Sequence, residues 1–508
     1  MEQHPTPFPD VVAEVAREPV AGSARTSAGA TLWAERIADG HHRLVAASER
    51  AEDLASFHGE TTRSDRLLVL RGPLDAANLA ALRAALPNLR PVPLGTGTSA
   101  GFGDRLGLAT PGHVDALRAS GGAGTVAAIF AQQSMRENAR TGRSPQGVLD
   151  DATAGAFVAG WRHPVGADAD HLKTEADVDL CLDAGYTMFT IDPGDHVHDD
   201  ADELSGEALA SAFEQRPPWD ELQSSPTDLR QRLAGYRLDL GQHELRFGPG
   251  ELERAAVKYG AAVAHVARLV RHLRARSDAA ASEVEVSVDE TATPTSLSEH
   301  AYLALELRRL GVDWVSLAPR FVGAFEKGVD YVGDIAALAR DLAGHARVAA
   351  ALGGYKLSLH SGSDKFAVYP IAAALAGGRV HLKTAGTSYL EALRVAGRYR
   401  PELLHEIMRF GIERFSEDVT SYHISGRPER VPDPAALPGA AALAWLEQPD
   451  ARQVLHVTFG SALRRYGDRL RTLLRAHPDA YRAALRRHFE RHVVPLVGIA
   501  AANEGASA

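Results

Sequence analysis

The sequence predicts an α/β protein built on a (β/α)8 TIM-like barrel, with an N-terminal extension and insertions over the barrel mouth. The chain has 508 residues, which exceeds the size at which one hydrophobic core usually stops growing. Short apolar runs rich in β-branched residues alternate with longer helical patterns, as in strands and helices that form a parallel sheet. A count of eight runs favours a closed barrel over an open sheet. The runs are residues 126–130, 156–161, 187–191, 284–288, 314–318, 356–359, 379–382 and 454–459.

Three parts are expected along the chain. Residues 1–95 would form an α/β extension, residues 96–465 the barrel, and residues 466–508 C-terminal helices and a tail. An insertion over 195–281 would cover the barrel mouth, and its pattern predicts a long helix at 251–276.

Local patterns refine the first part. Residues 75–86 have a helical pattern, and residues 66–70 form one plausible strand. The Pro- and Gly-rich stretch 91–107 is typical of a linker or an active-site loop.

Composition limits the partners and the compartment. The net charge of −10 has the wrong sign for a protein that binds a phosphate backbone, and the basic run 464–491 has the spacing of a solvated helix face. The start of the chain has no signal-peptide pattern, and the apolar stretch 493–502 is too short to span a bilayer. Cys181 is the only cysteine, so no internal disulfide can form. We expect a cytoplasmic protein with no nucleic-acid or membrane partner, with a homo-oligomer left open.

Polar residues follow nearly every predicted strand, at the end where barrel enzymes carry their chemistry. Strand alternation also places polar residues on the inner face, for example Glu285, Ser287 and Asp289 opposite three valines. Burying such groups costs several kcal/mol unless they are paired or bind a ligand. The interior therefore indicates function more than packing.

Histidines at three of these strand ends predict a metal site. His171, His360 and His381 would converge as neutral nitrogen ligands and, with a carboxylate, complete a site for Zn, Mn, Co or Ni. Any one of them alone could be a hydrogen-bonded structural residue. Three together favour the metal.

Further residues are candidates for proton transfer and substrate binding. Asp170 and Glu290 are candidate proton carriers, although either could ligate the metal or cap a helix. Several basic side chains could hold a carboxylate or sugar hydroxyls, with Arg320 best suited to a bidentate carboxylate; for each lysine a surface salt bridge is the alternative. The remaining candidate substrate contacts are Gln132, Gln133, Lys173, Asp192, Lys356, Ser361, Asp364 and Lys383.

Spaced glycines at 101–105 do not complete the GxGxxG pattern. No strand is predicted to lead into them, so a nucleotide-binding loop is not expected there.

Eight long segments carry a family resemblance. They are FGDRLGLATPGH (102–113), IFAQQSMREN (129–138), ADADHLKT (167–174), TIDPGDHV (190–197), VDETATPT (288–295), LAPRFVGAFEKGVDY (317–331), KLSLHSGSDKFAVYP (356–370) and HLKTAGTSYLEALR (381–394). Together they resemble the tagaturonate epimerase family, over roughly residues 102–394. The first and last hundred residues resemble it less.

The resemblance implies interconversion of D-tagaturonate and D-fructuronate with a divalent metal. Relatives of the family also act on the neutral ketohexoses tagatose and fructose, so the substrate class stays open between a ketohexuronate and a ketohexose. Carried over by position, Asp170 and Glu290 would be the acid/base residues, and His171, His360 and His381 the metal ligands.

The chemistry of such an epimerisation restricts the mechanism. The inverted carbon lies β to the ketone, so removing a proton α to the ketone cannot invert it. Retro-aldol cleavage with re-addition to the other aldehyde face would, with a metal stabilising the enediolate and carboxylates moving the hydroxyl proton. A hydride route would need a nicotinamide site, and the sequence contains no visible pattern for one.

Two other functions remain alternatives. One is another metal-dependent sugar enzyme on the same barrel, either an aldose–ketose isomerase or a class II-type aldolase. The other is a sugar-binding or regulatory protein without turnover, against which the acids and histidines at the strand ends argue.

Overall fold

The computed structural model describes residues 10–241, 244–248, 250–375, 377–384 and 386–504. Residues 505–508 of the expected tail lie outside this part. The strands are β1 (Arg25–Ser27), β2 (Ala30–Arg36), β3 (His42–Ser48), β4 (Glu60–Ser64), β5 (Leu67–Pro73), β6 (Ser99–Gly101), β7 (Ala127–Ser134), β8 (Val165–Leu172), β9 (Met188–Ile191), β10 (Arg237–Asp239), β11 (Glu244–Arg246), β12 (Glu283–Val288), β13 (Ser316–Pro319), β14 (Lys356–Leu359) and β15 (Val380–Lys383).

Helices alternate with the strands through the middle of the chain and dominate its end. They are α1 (Asp10–Val15), α2 (Ala76–Ala85), α3 (Thr110–Ala119), α4 (Met135–Thr141), α5 (Pro145–Val158), α6 (Glu175–Ala184), α7 (Gly206–Gln215), α8 (Pro226–Leu233), α9 (Glu251–Arg276), α10 (Leu297–Arg309), α11 (Ile335–Ala351), α12 (Tyr369–Leu375), α13 (Thr387–Tyr399), α14 (Pro401–Asp418), α15 (Pro449–Val457), α16 (Phe459–Ala476) and α17 (Pro478–Glu504).

Eight parallel strands close a barrel, which confirms the predicted fold class. Their order around the barrel is β12-β13-β14-β15-β6-β7-β8-β9. Six of the eight predicted runs coincide with barrel strands, namely β7, β9, β12, β13, β14 and β15. The long helix predicted at 251–276 is α9.

Two predicted strands are wrong, and two barrel strands were not predicted. Residues 156–161 end the buried helix α5, and residues 454–459 join α15 to α16; a short apolar run does not by itself distinguish a strand from a buried helix. The missed strands are β6 and β8. β6 has only small residues within the stretch expected to be a loop, and aspartates that point into the barrel interrupt the apolar pattern of β8.

The N-terminal extension is mainly a β-structure. Five strands form an antiparallel sheet in the order β1-β2-β3-β5-β4, where the sequence predicted only the strand at 66–70. The helix predicted at 75–86 is confirmed as α2, which begins after Asp75, whose side chain accepts a hydrogen bond from the Asn78 amide.

Helix caps hold the loops that leave the barrel strands. Thr174 and Asp177 form a capping box at the start of α6, two residues after β8 ends. Ser296 and Glu299 form another at the start of α10, in the loop that follows β12. Because both caps satisfy free backbone groups at helix N-termini, they fix where the loops after β8 and β12 end and the next helices begin.

The predicted alternation in the barrel strands is confirmed. On β12, Val284 and Val286 are buried in the apolar core outside the barrel, whereas Glu285 lies inside the barrel and contacts other inner side chains. Lys356 and His381 also lie inside and are fully buried. The interior is therefore a packed network of polar and charged groups.

Within the described part of the chain, no helix combines the length and apolar character needed to cross a membrane.

Candidate active site

The carboxyl ends of the barrel strands surround a cleft of about 490 Å³. Its walls are the loops after β12, β13 and β14, with residues 422–425 from the segment that follows α14. Barrel enzymes carry their reacting groups at this face. A larger cavity of about 710 Å³ lies between the N-terminal sheet, α5 and the junction of α16 with α17. It contains none of the predicted site residues, so the strand-end cleft is the candidate active site.

Three side chains at this end of the barrel form a group that could hold a metal ion. They are Asp170, His171 and His360, whose donor atoms all lie within 4.8 Å of one another. His360 also lines the cleft. Two imidazole nitrogens and one carboxylate oxygen suit a borderline divalent ion.

An irregularity in β8 brings Asp170 and His171 to the same face. Neighbours on a regular strand point to opposite faces. The pairing of β8 with β9 shifts its register between Ala169 and Leu172, and His171 has a φ of 56°. This left-handed conformation is uncommon for a residue with a β-carbon, and here it turns two consecutive donors toward one point.

Asp192 orients His171. Its Oδ2 lies 3.1 Å from Nδ1 of His171, and its Oδ1 accepts a hydrogen bond of 2.8 Å from the Gly194 amide. Burial alone would lower the pKa of His171, but the carboxylates of Asp170 and Asp192 raise it to about 9. A carboxylate on the second ring nitrogen is the usual support of a metal-binding histidine.

Carboxylates face both nitrogens of His360. Nε2 lies 2.6 Å from Oε1 of Glu285, and Nδ1 lies 3.2 Å from Oδ1 of Asp289. Burial opposes the charged ring, yet these carboxylates raise the pKa of His360 to about 10. These carboxylates favour the protonated ring, and binding a metal would displace its proton.

Lys383 lies beneath this group and joins several acids. Its Nζ lies 3.0 Å from Asp168, 2.6 Å from Asp170 and 2.8 Å from Glu285, and donates to the Thr190 hydroxyl at 2.7 Å. Although burial raises the pKa of a carboxyl, Lys383 holds the pKa of Asp170 well below its usual value. One ammonium faces three carboxylates, so Lys383 alone does not neutralise the acids of this floor.

His381 and Lys356, two of the predicted site residues, lie deeper in the barrel. His381 precedes Lys383 by two residues on the inner face, so it lies about 6–7 Å further down the strand. Its Nδ1 is 2.8 Å from the Ser99 hydroxyl, to which Lys356 also donates at 3.1 Å. His381 Nε2 lies 3.8 Å from Asp168, and His381 is not part of the group formed by Asp170, His171 and His360.

Strand alternation separates the two predicted glutamines. Gln132 lies inside the barrel and donates a hydrogen bond of 3.1 Å to Asp170. Gln133 points to the other face, where its side-chain oxygen accepts from Arg143 at 3.2 Å. The structure therefore brings only Gln132 to the site.

The loop after β14 sends its polar residues in different directions. Ser361 has a φ of 50° and lines the cleft. Asp364 instead faces the C-terminal helices, where Arg452 lies at 2.7 Å and His488 at 3.1 Å. With His488 and His492, Asp364 forms a second group able to hold a metal. In that group, however, His492 Nε2 already accepts a hydrogen bond of 3.1 Å from the Asp364 amide.

The remaining predicted residues lie at the rim. Glu290 lines the cleft and pairs with Arg136 at 2.9 Å. Arg320 also lines the cleft and donates to the Thr291 carbonyl oxygen. Lys173 lies 2.8 Å from Asp195 and is partly exposed.

Sequence reasoning missed two cations and a segment of the cleft. Arg136 and Lys327 line the cleft, as do residues 422–425. Both cations lie within segments that carry the family resemblance, but they follow no predicted strand directly. Residues 422–425 have no local motif, so the sequence offers no signal that they reach the barrel mouth.

Comparison with known proteins identifies relatives over nearly the whole chain. The family model for tagaturonate epimerase matches residues 27–496. A tagaturonate/fructuronate epimerase from Thermotoga maritima is 41% identical over 457 residues, which is 90% of this chain and 92% of the relative. Crystal structures of a fructuronate-tagaturonate epimerase from Cohnella laeviribosi, one native and one with a single glycerol, each superpose with a TM-score of 0.87 at 32% identity. Each match covers 96% of this chain and 98% of the other.

The family model and the Thermotoga relative each span about nine-tenths of the chain, including the strands that carry Asp170, His171 and His360. The chain therefore belongs to the tagaturonate epimerase family.

Proposed function

We propose that this chain is a metal-dependent epimerase that interconverts D-tagaturonate and D-fructuronate. The main support for this proposal is the group of Asp170, His171 and His360 at the carboxyl ends of the barrel strands. It occurs in a chain 41% identical to a relative named for this reaction.

The group suits a divalent ion such as Zn, Mn, Co or Ni. Asp170 and the two imidazoles would hold it, while Asp192 fixes the other ring nitrogen of His171. The ion would supply a Lewis acid for the substrate's ketone and its neighbouring hydroxyl.

Asp170 suits a ligand better than a proton carrier. Its two oxygens already accept hydrogen bonds from Lys383 and Gln132. The depressed pKa of this carboxyl means that it stays ionised and is a weak base. This revises the expected pairing of Asp170 with Glu290 in proton transfer.

Glu290 is the proton carrier in this proposal. It lines the cleft next to His360, and its pairing with Arg136 fixes one carboxylate oxygen. As the bond between the inverted carbon and the carbon next to the ketone breaks, Glu290 accepts the hydroxyl proton and an aldehyde forms. Re-addition to the opposite face of that aldehyde reforms the bond, and the proton returns to the same oxygen.

A Glu290→Gln variant tests this role. The amide keeps the size of the side chain and can still accept from Arg136, but it cannot take a proton. We expect kcat for tagaturonate epimerisation to fall by about 100-fold or more, with the metal content unchanged. The measurement is product formation from D-tagaturonate by the purified protein and the variant, together with metal analysis.

The products separate this proposal from its alternatives. Formation of fructuronate alone supports the epimerase. An aldose product, or stable release of two three-carbon fragments, would instead identify an isomerase or an aldolase.

A further inference from the structure

We propose that Lys327 receives the carboxylate of the substrate, and that its ammonium group makes the cleft prefer ketohexuronates to neutral ketohexoses. This inference rests on the proposed function of the cleft. Lys327 lies in the loop after β13 and shares the cleft wall with His360 and Ser361.

Other cations near the cleft already have partners. Arg136 pairs with Glu290 at 2.9 Å, and the buried Arg105 pairs with Glu137. Arg320 donates to the carbonyl oxygen of Thr291. Among the residues that the structure describes, no carboxylate lies within 4.0 Å of the Lys327 ammonium, which distinguishes it from Arg136 and Arg105.

The neighbouring carboxylate is used elsewhere. Glu326 Oε2 accepts from the Ser425 amide at 2.9 Å, from its hydroxyl at 2.7 Å and from Gln453 at 2.7 Å. Because Glu326 is held toward residues 422–425, it does not neutralise the adjacent Lys327.

The backbone that carries Lys327 is fixed from beneath. Lys365 donates to the carbonyl oxygens of Glu326 at 2.8 Å and Val329 at 2.6 Å. Gln453 donates to the Lys327 carbonyl at 3.2 Å, and Arg452 to that of Gly328 at 2.7 Å. The backbone from which the side chain extends is thus set before a ligand arrives, which lowers the entropic cost of binding.

An incoming anion would stabilise the Lys327 ammonium. Burial lowers the pKa of Lys327 and Arg136 lowers it further, while the nearby acids Glu137, Glu290 and Asp289 only partly compensate. A substrate carboxylate beside this ammonium would offset the remaining unfavourable effect of burial and of Arg136 on the charged form of Lys327. A neutral hydroxymethyl group at the same position has no charge and would not stabilise the ammonium in this way.

The site has a separate binding position for each end of the substrate. The ketone end would lie at the group of Asp170, His171 and His360, and the carboxylate end at Lys327. The two ends of a ketohexuronate differ in charge, so a separate cation at one end of the cleft fixes its direction there.

Kinetics on an acidic and a neutral substrate test the inference. The variants are Lys327→Met, which removes the charge at similar length, and Lys327→Arg, which keeps it. We expect Lys327→Met to lower kcat/KM for D-tagaturonate by about 10- to 100-fold, mainly through KM. The value for D-tagatose should change by no more than about threefold, and Lys327→Arg should recover part of the loss. If tagatose is not turned over, its inhibition constant against tagaturonate replaces kcat/KM.

Arg469→Met is the matched control, because Arg469 pairs with Glu406 on the surface of α16; it should resemble the wild type. An Arg320→Met variant tests the competing cation. Equal losses on both substrates, no loss in Lys327→Met, or a selective loss only in Arg320→Met would each overturn the inference. Absence of tagaturonate epimerisation by the wild-type protein would instead refute the proposed function.

Discussion

At the scale of single residues, the site depends on exceptions to regular strand geometry. Asp170 and His171 are consecutive, and a regular strand would separate them. The left-handed backbone at His171 brings both to the same group. Backbone strain of this kind persists when surrounding contacts support it, and Asp192 supplies such a contact.

An Asp192→Asn variant measures that support. The amide has the same size but no charge, so it orients the His171 ring less firmly. We expect the affinity for the divalent ion to fall by about 10- to 100-fold while the fold is kept. Titration of the metal-stripped protein with Zn²⁺ or Mn²⁺ measures this.

Asp195→Asn is the control for this variant, because Asp195 pairs with Lys173 at the exposed rim. It should bind the ion like the wild type. Equal affinities for Asp192→Asn and the wild type would show that His171 does not need this carboxylate.

The sequence predicts these residues unequally. His171, His360 and Asp170 were predicted because polar residues at strand ends converge in a barrel. Gln133 and Asp364 were not brought to the cleft, since alternation and loop direction decide where side chains point. His381 faces inward as predicted, but two residues of strand rise place it below the group.

At the scale of elements, two loops of the cleft are held together by one buried ammonium. Lys365, in the loop after β14, donates to the Glu326 and Val329 carbonyls in the loop after β13 and to its own neighbour Ser363 at 2.9 Å. Burial lowers the pKa of Lys365 to about 7. Burial of the ammonium is unfavourable, but the ammonium donates hydrogen bonds to three carbonyl oxygens that would otherwise lose this donor.

A Lys365→Met variant should destabilise both loops. Three carbonyl oxygens, one buried and two partly buried, lose their shared donor, so we expect a loss of about 2–4 kcal/mol in stability. Activity should fall alike on acidic and neutral substrates, unlike the selective loss expected for Lys327→Met. Thermal unfolding followed by fluorescence, with the surface variant Arg469→Met as control, measures the first effect. An unchanged Tm would mean that the loops are held by other contacts.

Helices and strands were predicted correctly where the residue pattern within the element is itself sufficient to identify it. The helix α9 has a strong apolar periodicity over its whole length and was predicted with its bounds. β8 was missed because Asp168 and Asp170 point into the barrel, so the strand lacks the apolar signal that identifies strands. The aspartates that contribute to the site are therefore the reason that the strand holding them was not predicted.

At the scale of the whole molecule, the C-terminal helices support the active-site loop. α17 packs against α3, α12 and α13, and its His488 lies 3.1 Å from Asp364 and 3.5 Å from Glu391. The sequence predicted helices here but not the contact between Asp364 and His488, which lie more than a hundred residues apart in the chain. Among the residues that the structure describes, two groups could bind a metal, and one of these adjoins the cleft.

Metal content and epimerisation rate, measured together on three proteins, test the central claim most directly. The proteins are the wild type, His360→Ala and His488→Ala, which alter the two metal-capable groups separately. We predict one ion per chain in the wild type, loss of both ion and tagaturonate epimerisation in His360→Ala, and retention of the ion in His488→Ala. Retention of the ion by His360→Ala, or its loss from His488→Ala alone, would contradict the assignment of the metal to Asp170, His171 and His360.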